Sequence, residues 1–555
     1  MFSRAWAATL LAWRRTTLEQ RAFALVFVLL AACSLTPIWR SRWLPLLDEP
    51  NHAASVFIWL KLDEPWARLQ EFYGVRFALA PYLLHYAAAY LFGLAAGPEA
   101  GNKLALSLYV LALPIAALLL CRRTGRNGWL ALLTFPLAYN YNWACGFHAH
   151  NFGVAAYLFA VLALDSFLLR PGFASGFTAT LLAMVCYLGH PLPLLALYSS
   201  LPVLWLAHRT GFKRIVDTAA MMFPSFCIVL YLSVSHDLTP SSTKEGPFIG
   251  GPRDGFQALL GDLPRYALDS VSGHVDTFVF MALLTVTLLV SAHCFWRRVG
   301  RDPVDPSAPG GLQGWRRVLF DYRLAWLCAA MLLLYFGLPT HLSRPFYWWL
   351  VSPRYAFVGI FFLLLIPPVP RRQPGALFGA LMLPALTACA LLPIHISQKY
   401  AEFNQRAAPM ADLVGRTRPG SNILFLGMQP RGDPAVNVEV WREGASWVQM
   451  LHGGYSPAGF VHDIEGFPYL RKQELPAPSW SCAECFDIWE HGPAYDYILV
   501  RNELIPVIAS NDPEFRLVAA QGEFRLYERF APPAAEPPFR PDDDDLGWDD
   551  LPARR

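Results

Sequence analysis

Residues 22–39, AFALVFVLLAACSLTPIW, form a charge-free apolar run. A helix of that length crosses the roughly 30 Å of hydrocarbon in a bilayer. Comparable runs recur at 103–121, 128–144, 151–169, 173–189, 192–208, 215–235, 275–296, 322–338, 355–369 and 375–396. Only helices satisfy every backbone hydrogen bond at that depth. The 555 residues are 55% hydrophobic and 16% charged, whereas soluble domains carry about a quarter of charged residues. The pattern predicts an α-helical polytopic membrane protein of about 11–12 spans, with a C-terminal soluble α/β domain. A net charge of +3 gives no reason to expect nucleic acid as a partner.

Basic clusters set the orientation. Arg14-Arg15, Arg122-Arg123 with Arg126, Arg170, Arg209 with Lys213-Arg214, Arg297-Arg298 to Arg317, and Arg371-Arg372 all fit on the cytoplasmic side. Residues 1–21 are then a cytoplasmic N-terminus, and the first span is expected to remain as an uncleaved anchor. Residues 22–396 form the transmembrane domain, with an outer loop at 40–102. Within that loop, 77–97 must enter and leave on one face, as an interfacial or re-entrant segment. The alternative, a full span, inverts every later loop. Tyr139–Asn151, His190, the loop 236–274 and Pro339–Arg354 also fall outside. Strand-like segments at Asn422–Gly427, Tyr495–Arg501, Phe515–Val518 and Phe524–Glu528, with a helix within Pro434–Met450, predict an extracytoplasmic α/β domain over 397–531. The Pro- and Asp-rich tail 532–555 reads as disordered. Eight of the ten cysteines lie in or beside apolar runs; Cys482 and Cys485 form a C-x-x-C in a polar region. With no second pair for zinc, a disulfide is the favoured reading.

Just beyond the first span comes Leu47-Asp48-Glu49-Pro50-Asn51-His52. Short acidic side chains at a membrane surface reach water poorly and tend to be kept for a use. Asp48 and Glu49 have two readings: caps of a helix that Pro50 starts, or a general base whose pKa is tuned by burial. His52, four residues on, is placed to hydrogen-bond Asp48. Asp63 and Glu64 repeat the acidic pattern and are weaker candidates. Further along, His148 and His150 open a helix on the outer side, and His190 and His341 fall at the same depth. Arg354-Tyr355 immediately precedes a span. A guanidinium there suits a phosphate, with Arg344 as a second cation; an interfacial anchor beside Tyr347, Trp348 and Trp349 is the plainer alternative. No Walker loop, dinucleotide glycine motif or H-E-x-x-H occurs, so a transfer reaction would draw on a pre-activated donor.

This layout resembles the GT-C superfamily of integral membrane glycosyltransferases, which includes bacterial aminoarabinose transferases and protein O-mannosyltransferases. The shared elements are the acid motif Asp48-Glu49 after the first span, an aromatic interfacial stretch, the late Arg354-Tyr355 and a terminal outer domain. The resemblance implies transfer of a sugar from a polyprenyl-phosphate donor to an acceptor it leaves unnamed, on the outer face of a bacterial inner (plasma) membrane. It implies Asp48, or Glu49, as base and Arg354 with Arg344 on the donor phosphate. His52, His148, His150, His190 and Tyr355 would line the cavity. It requires no cofactor; a divalent metal, used by some relatives, would have only Asp48, His52 and His148 as ligands. The outer loop departs from the aminoarabinose-transferase pattern, so that substrate is not expected. Rival readings are a transporter or flippase for a lipid-linked substrate, and a non-catalytic assembly protein.

Overall fold

The computed structural model describes residues 17–75, 81–235, 255–296, 314–342, 348–369, 376–459, 469–479, 482–510 and 512–530. Arg344, residues 236–254 of the outer loop and the acidic tail lie outside these.

Helix α1 (Leu18–Arg40) starts at a capping box, in which Thr17 and Gln20 exchange side-chain to backbone hydrogen bonds. There follow α2 (Glu49–Lys61), α3 (Leu83–Ala96), α4 (Pro98–Arg123), α5 (His148–Leu169), α6 (Phe173–Gly189), α7 (Pro191–His208) and α8 (Phe212–Ser235). Beyond them come α9 (Phe256–Leu268), α10 (Val275–Trp296), α11 (Arg323–Gly337), α12 (Ala356–Leu364) and α13 (Ala376–Val414). Seven of these, α1, α4, α5, α7, α8, α10 and α13, are long and apolar enough to cross a membrane. A bent pair, Trp315–Asp321 with α11, adds an eighth candidate at a 71° angle. The apolar helices α3, α6 and Ser352–Leu364 are shorter. The chain is a multi-pass membrane protein.

Three segments differ from the sequence expectation. Residues 128–144 are not one straight span: Gly128–Tyr139 is a 3₁₀ helix whose residues from Leu130 onward are all buried, followed by a turn of α-helix at Tyr141–Ala144. That apolar run is covered by protein on every side, which hydropathy does not distinguish from lipid. The run 355–369 stops being helical at Leu364, ahead of Pro367 and Pro368. Helix α13 continues without a break through the composition change at residue 396 and delivers Tyr400, Phe403 and Met410, all buried, toward the C-terminal domain.

The C-terminal domain is built on a four-stranded sheet. It comprises β2 (Ile423–Gly427), β4 (Tyr497–Arg501), β5 (Phe515–Gln521) and β6 (Phe524–Arg529) in the order β2-β4-β6-β5, with β2 and β4 parallel and the remaining pairs antiparallel. Helix α14 (Gly444–His452) packs on β2 and also on α2. A two-stranded ladder, β1 (Tyr73–Val75) with β3 (Tyr469–Arg471), ties the segment after α2 to this domain. Residues Glu49–Ile58 of α2 are consequently buried on every side.

At the opposite end, Asp165 on α5 receives Arg323 (2.7 Å), Arg123 (2.9 Å) and His208 (2.9 Å). This buried cluster joins α4, α5, α7 and α11. Removing the carboxylate strands buried cations, which typically costs about 3–5 kcal/mol. Asp165→Ala is therefore expected to lower the unfolding temperature of detergent-purified protein markedly, as measured by thermal denaturation.

Candidate functional site

Two glycine contacts shape the surroundings of Asp48 and His190. A Cβ on Gly189 would lie 2.6 Å from the Gly153 Cα, so α5 and α6 cross backbone to backbone. That crossing carries His190, the next residue, alongside the start of α5. Gly146 has φ +75°, and a Cβ there would lie 2.9 Å from the Asp48 backbone nitrogen. The Asp48 amide donates to the Cys145 carbonyl (3.3 Å). Gly146→Ala is expected to push Asp48 out of register and also to pay the roughly 1–2 kcal/mol that a left-handed backbone costs an L-residue. The unfolding temperature of the purified protein, read by thermal denaturation, is expected to fall with it.

Asp48 and Glu49 are neighbours that face different surroundings. Asp48 is the N-cap residue of α2, but its side chain makes no capping hydrogen bond. Among the described residues, no hydrogen bond to its carboxylate is found. The expected link to the His52 ring is not made; His52 donates its backbone N–H to the Asp48 carbonyl (3.1 Å), and its ring Nδ1 meets Tyr86 Oη (2.6 Å). The Asp48 carboxylate is half-buried and within Coulombic range of Glu443, Arg442 and Arg354. Burial first, then the Glu443 charge, pushes its pKa up to about 7, against the pull of the two arginines.

Glu49 turns into the protein. Burial pushes its carboxyl up to about 8, so at neutral pH it keeps its proton and shares it with His148 Nε2 (2.5 Å). Asn102 donates to its other oxygen (2.7 Å) and accepts from His85 Nε2 (3.0 Å). The rings of His52, His85 and His148 lie 5.0–5.5 Å apart around it. No group of three metal-ligating side chains occurs among the described residues, and His52 and His148 point away from Asp48 into this network. The ligand set for a metal is therefore not assembled.

Arg354 sits in a 3₁₀ turn, Ser352–Tyr355, at the head of α12. Its Nε donates to the Leu350 carbonyl (3.1 Å) and its Nη2 to the Trp349 carbonyl (2.9 Å), and the guanidinium lies 3.9 Å from the Phe147 ring centroid. The remaining nitrogen, Nη1, comes within 3.2 Å of His190 Nε2. His190 Nδ1 accepts the Leu192 backbone N–H (3.1 Å) as the N-cap of α7. A neutral imidazole with Nδ1 accepting carries its proton on Nε2. Two N–H donors therefore converge; Tyr82 Oη can accept from His190 Nε2, which leaves Arg354 Nη1 as a donor facing another donor. Tyr82 Oη approaches His190 Nε2 at 3.3 Å. Tyr82 (φ 75°) and Leu350 (φ 53°), both non-glycine, adopt left-handed backbone beside this point. Such strain gathers at ligand-holding positions. His150 packs its ring against His190 (5.5 Å), and Tyr355 Oη donates to the Leu192 carbonyl (3.0 Å), so Tyr355 fixes the turn from behind.

The C-terminal domain contributes groups that local sequence gave no reason to single out. Glu443 Oε2 accepts from Asn51 Nδ2 (3.0 Å) across 392 positions, and Asn51 Oδ1 accepts from Ser446 (2.5 Å). Arg442 lies beside Glu443 (3.5 Å). The Cys482–Cys485 disulfide is formed. Asp63 and Glu64 make exposed contacts with Gln70 and Lys61. Reading Glu443 from sequence would have required knowing that α14 docks on α2.

No family model matches this chain, and no curated protein matches it. Among solved structures, the crystal structure of ArnT from Cupriavidus metallidurans in the apo state aligns with 92% of this chain and 98% of its own, at 12% identity and a TM-score of 0.48.

Proposed function

We propose that the chain transfers a sugar from a polyprenyl-phosphate donor to a nucleophilic acceptor on the outer face of the membrane. The observation that carries this reading is the meeting of Arg354 Nη1 with His190 Nε2–H, with Arg354 in Coulombic range of a half-buried, uncapped Asp48. An anion is held on one side and a base waits on the other.

In this scheme the lipid tail stays in hydrocarbon and fixes the donor phosphate at interface depth. The acceptor hydroxyl or amine attacks the anomeric carbon and gives its proton to Asp48. The bond from that carbon to the phosphate oxygen breaks, and its electron pair leaves with the lipid phosphate. Arg354 and His190 donate to the oxygens on which this charge grows, as preorganised donors do in efficient sites. Glu49 holds the α2 terminus against α4 and α5 through Asn102 and His148 rather than taking the proton.

A base that must be ionised sets the pH profile. Asp48, raised to about 7, is protonated below that value, so the rate is expected to rise through neutrality. Below it the rate should fall about tenfold per pH unit. Replacing Glu443 by Gln removes a neighbouring negative charge and should move that limb to lower pH. The test is release of free polyprenyl phosphate from polyprenyl-phosphate sugars by protein in vesicles, measured from pH 5 to 9. A flat profile would argue against Asp48 as base.

A further inference from the structure

Asn51 stands on the first turn of α2, three positions after Asp48, and is buried. Both ends of its amide are used. The Ser446 hydroxyl donates to Oδ1 (2.5 Å), and Nδ2 donates to Glu443 Oε2 (3.0 Å). The Asn51 backbone carbonyl accepts from Ser55 Oγ (2.7 Å). Turning the amide over would set Oδ1 against the Glu443 carboxylate, so the Ser446 hydroxyl fixes which end Glu443 meets. A hydrogen bond given to a carboxylate favours its charged form. Glu443 is also the N-cap residue of α14, where the helix dipole favours negative charge, and Arg442 lies beside it (3.5 Å). These three influences all favour an ionised Glu443.

That charge bears on Asp48. The charged groups around the Asp48 carboxylate are Glu443 and Arg442 from the C-terminal domain and Arg354 from the turn before α12. Burial raises the Cys145 thiol beside it, which stays neutral. Glu49, next in the chain, is turned to His148 and Asn102 and keeps its proton. The His52 ring meets Tyr86. Glu443 is the anion of this set. We infer that Asn51 and Ser446 are positioning residues, which act through Glu443 to set the strength of Asp48 as a base. The C-terminal domain thereby tunes a carboxylate that it does not hydrogen-bond. The inference rests on the reading of Asp48 as the base, but its test needs no donor and no turnover.

Asn51→Leu takes one donor from Glu443, and Ser446→Ala frees the amide to turn. Both are expected to weaken the Glu443 charge and move the Asp48 titration to lower pH, by about one unit for Asn51→Leu and by less for Ser446→Ala. The measurement is the unfolding temperature of detergent-purified full-length protein from pH 5 to 9. Each protein is paired with the same protein carrying Asp48→Asn, and the difference within a pair isolates the Asp48 proton. Folded Asp48 holds its proton more tightly than the unfolded chain does. The deficit of the Asp48 member therefore grows as pH rises and levels off at the folded-state pKa, about 7 in the parent. In the Asn51→Leu pair it should level off about one pH unit lower. In a Glu443→Gln background, Asn51→Leu is expected to shift nothing further. A substitution that merely loosens the fold lowers both members of a pair and leaves the plateau in place. No pH dependence in the parent pair, an unmoved plateau in the Asn51→Leu pair, or a further shift in the Glu443→Gln background would overturn the inference. The activity profile fails separately: a parent rate without an acid limb removes Asp48 as base, while the paired unfolding curves still decide whether Asn51 acts on it through Glu443.

Discussion

Asp48→Asn is expected to reduce sugar transfer by roughly 10²–10⁴-fold, the usual contribution of a positioned general base. The substitution keeps the volume of the side chain and removes no cap, because the Asp48 carboxylate does not cap α2. The sign of the stability change separates catalysis from folding. Burial and Glu443 raise the folded-state pKa of Asp48 from 3.8 to about 7. The folded protein therefore holds that proton more tightly than the unfolded chain, and it loses stability as pH rises through that window. Asn, always neutral, escapes the loss. The variant should be inactive, yet at least as resistant to heat as the parent above neutral pH. Thermal unfolding and lipid-phosphate release on the same preparation check both halves. An inactive variant that also unfolds easily would show that Asp48 matters for structure instead.

The second large effect is expected at Arg354. Arg354→Gln should cost about 10²–10³-fold in turnover, the scale seen when one preorganised donor to a developing oxyanion is lost. Two of its nitrogens are bound by the Leu350 and Trp349 carbonyls, so some destabilisation accompanies the change. Inhibition by free polyprenyl phosphate gives a readout that a purely structural role would not move: its inhibition constant should weaken about tenfold or more. Arg354→Lys restores the charge but not the forked geometry, and is expected to recover part of the inhibition and less of the rate.

The membrane architecture was legible because apolar runs of the right length have few alternatives. The run 128–144 misled for a stated reason: it is buried by protein, and hydropathy reports only the absence of water. That Asp48 and Arg354 could be neighbours was legible because each lies just beyond an apolar run, and the structure puts them in Coulombic range. The different surroundings of Asp48 and Glu49 were not legible. They depend on Asn102 and His148 meeting Glu49 and on Gly146 seating Asp48, all tertiary contacts. Glu443 and Arg442 stayed hidden because nothing in their local sequence marks them; docking of α14 on α2 brings them to the site. The His190 tautomer, with its proton on Nε2, follows from one backbone N–H at Leu192.

The most direct test is a cryo-EM structure of the full-length protein with bound polyprenyl phosphate. The account predicts the phosphate within about 4 Å of the Arg354 guanidinium and in hydrogen-bond reach of His190 Nε2, with Asp48 open to the opposite side of the sugar position. A phosphate seated elsewhere, for example beside Arg42 and Lys103, which line a small cleft, and away from Arg354 and His190, would contradict it.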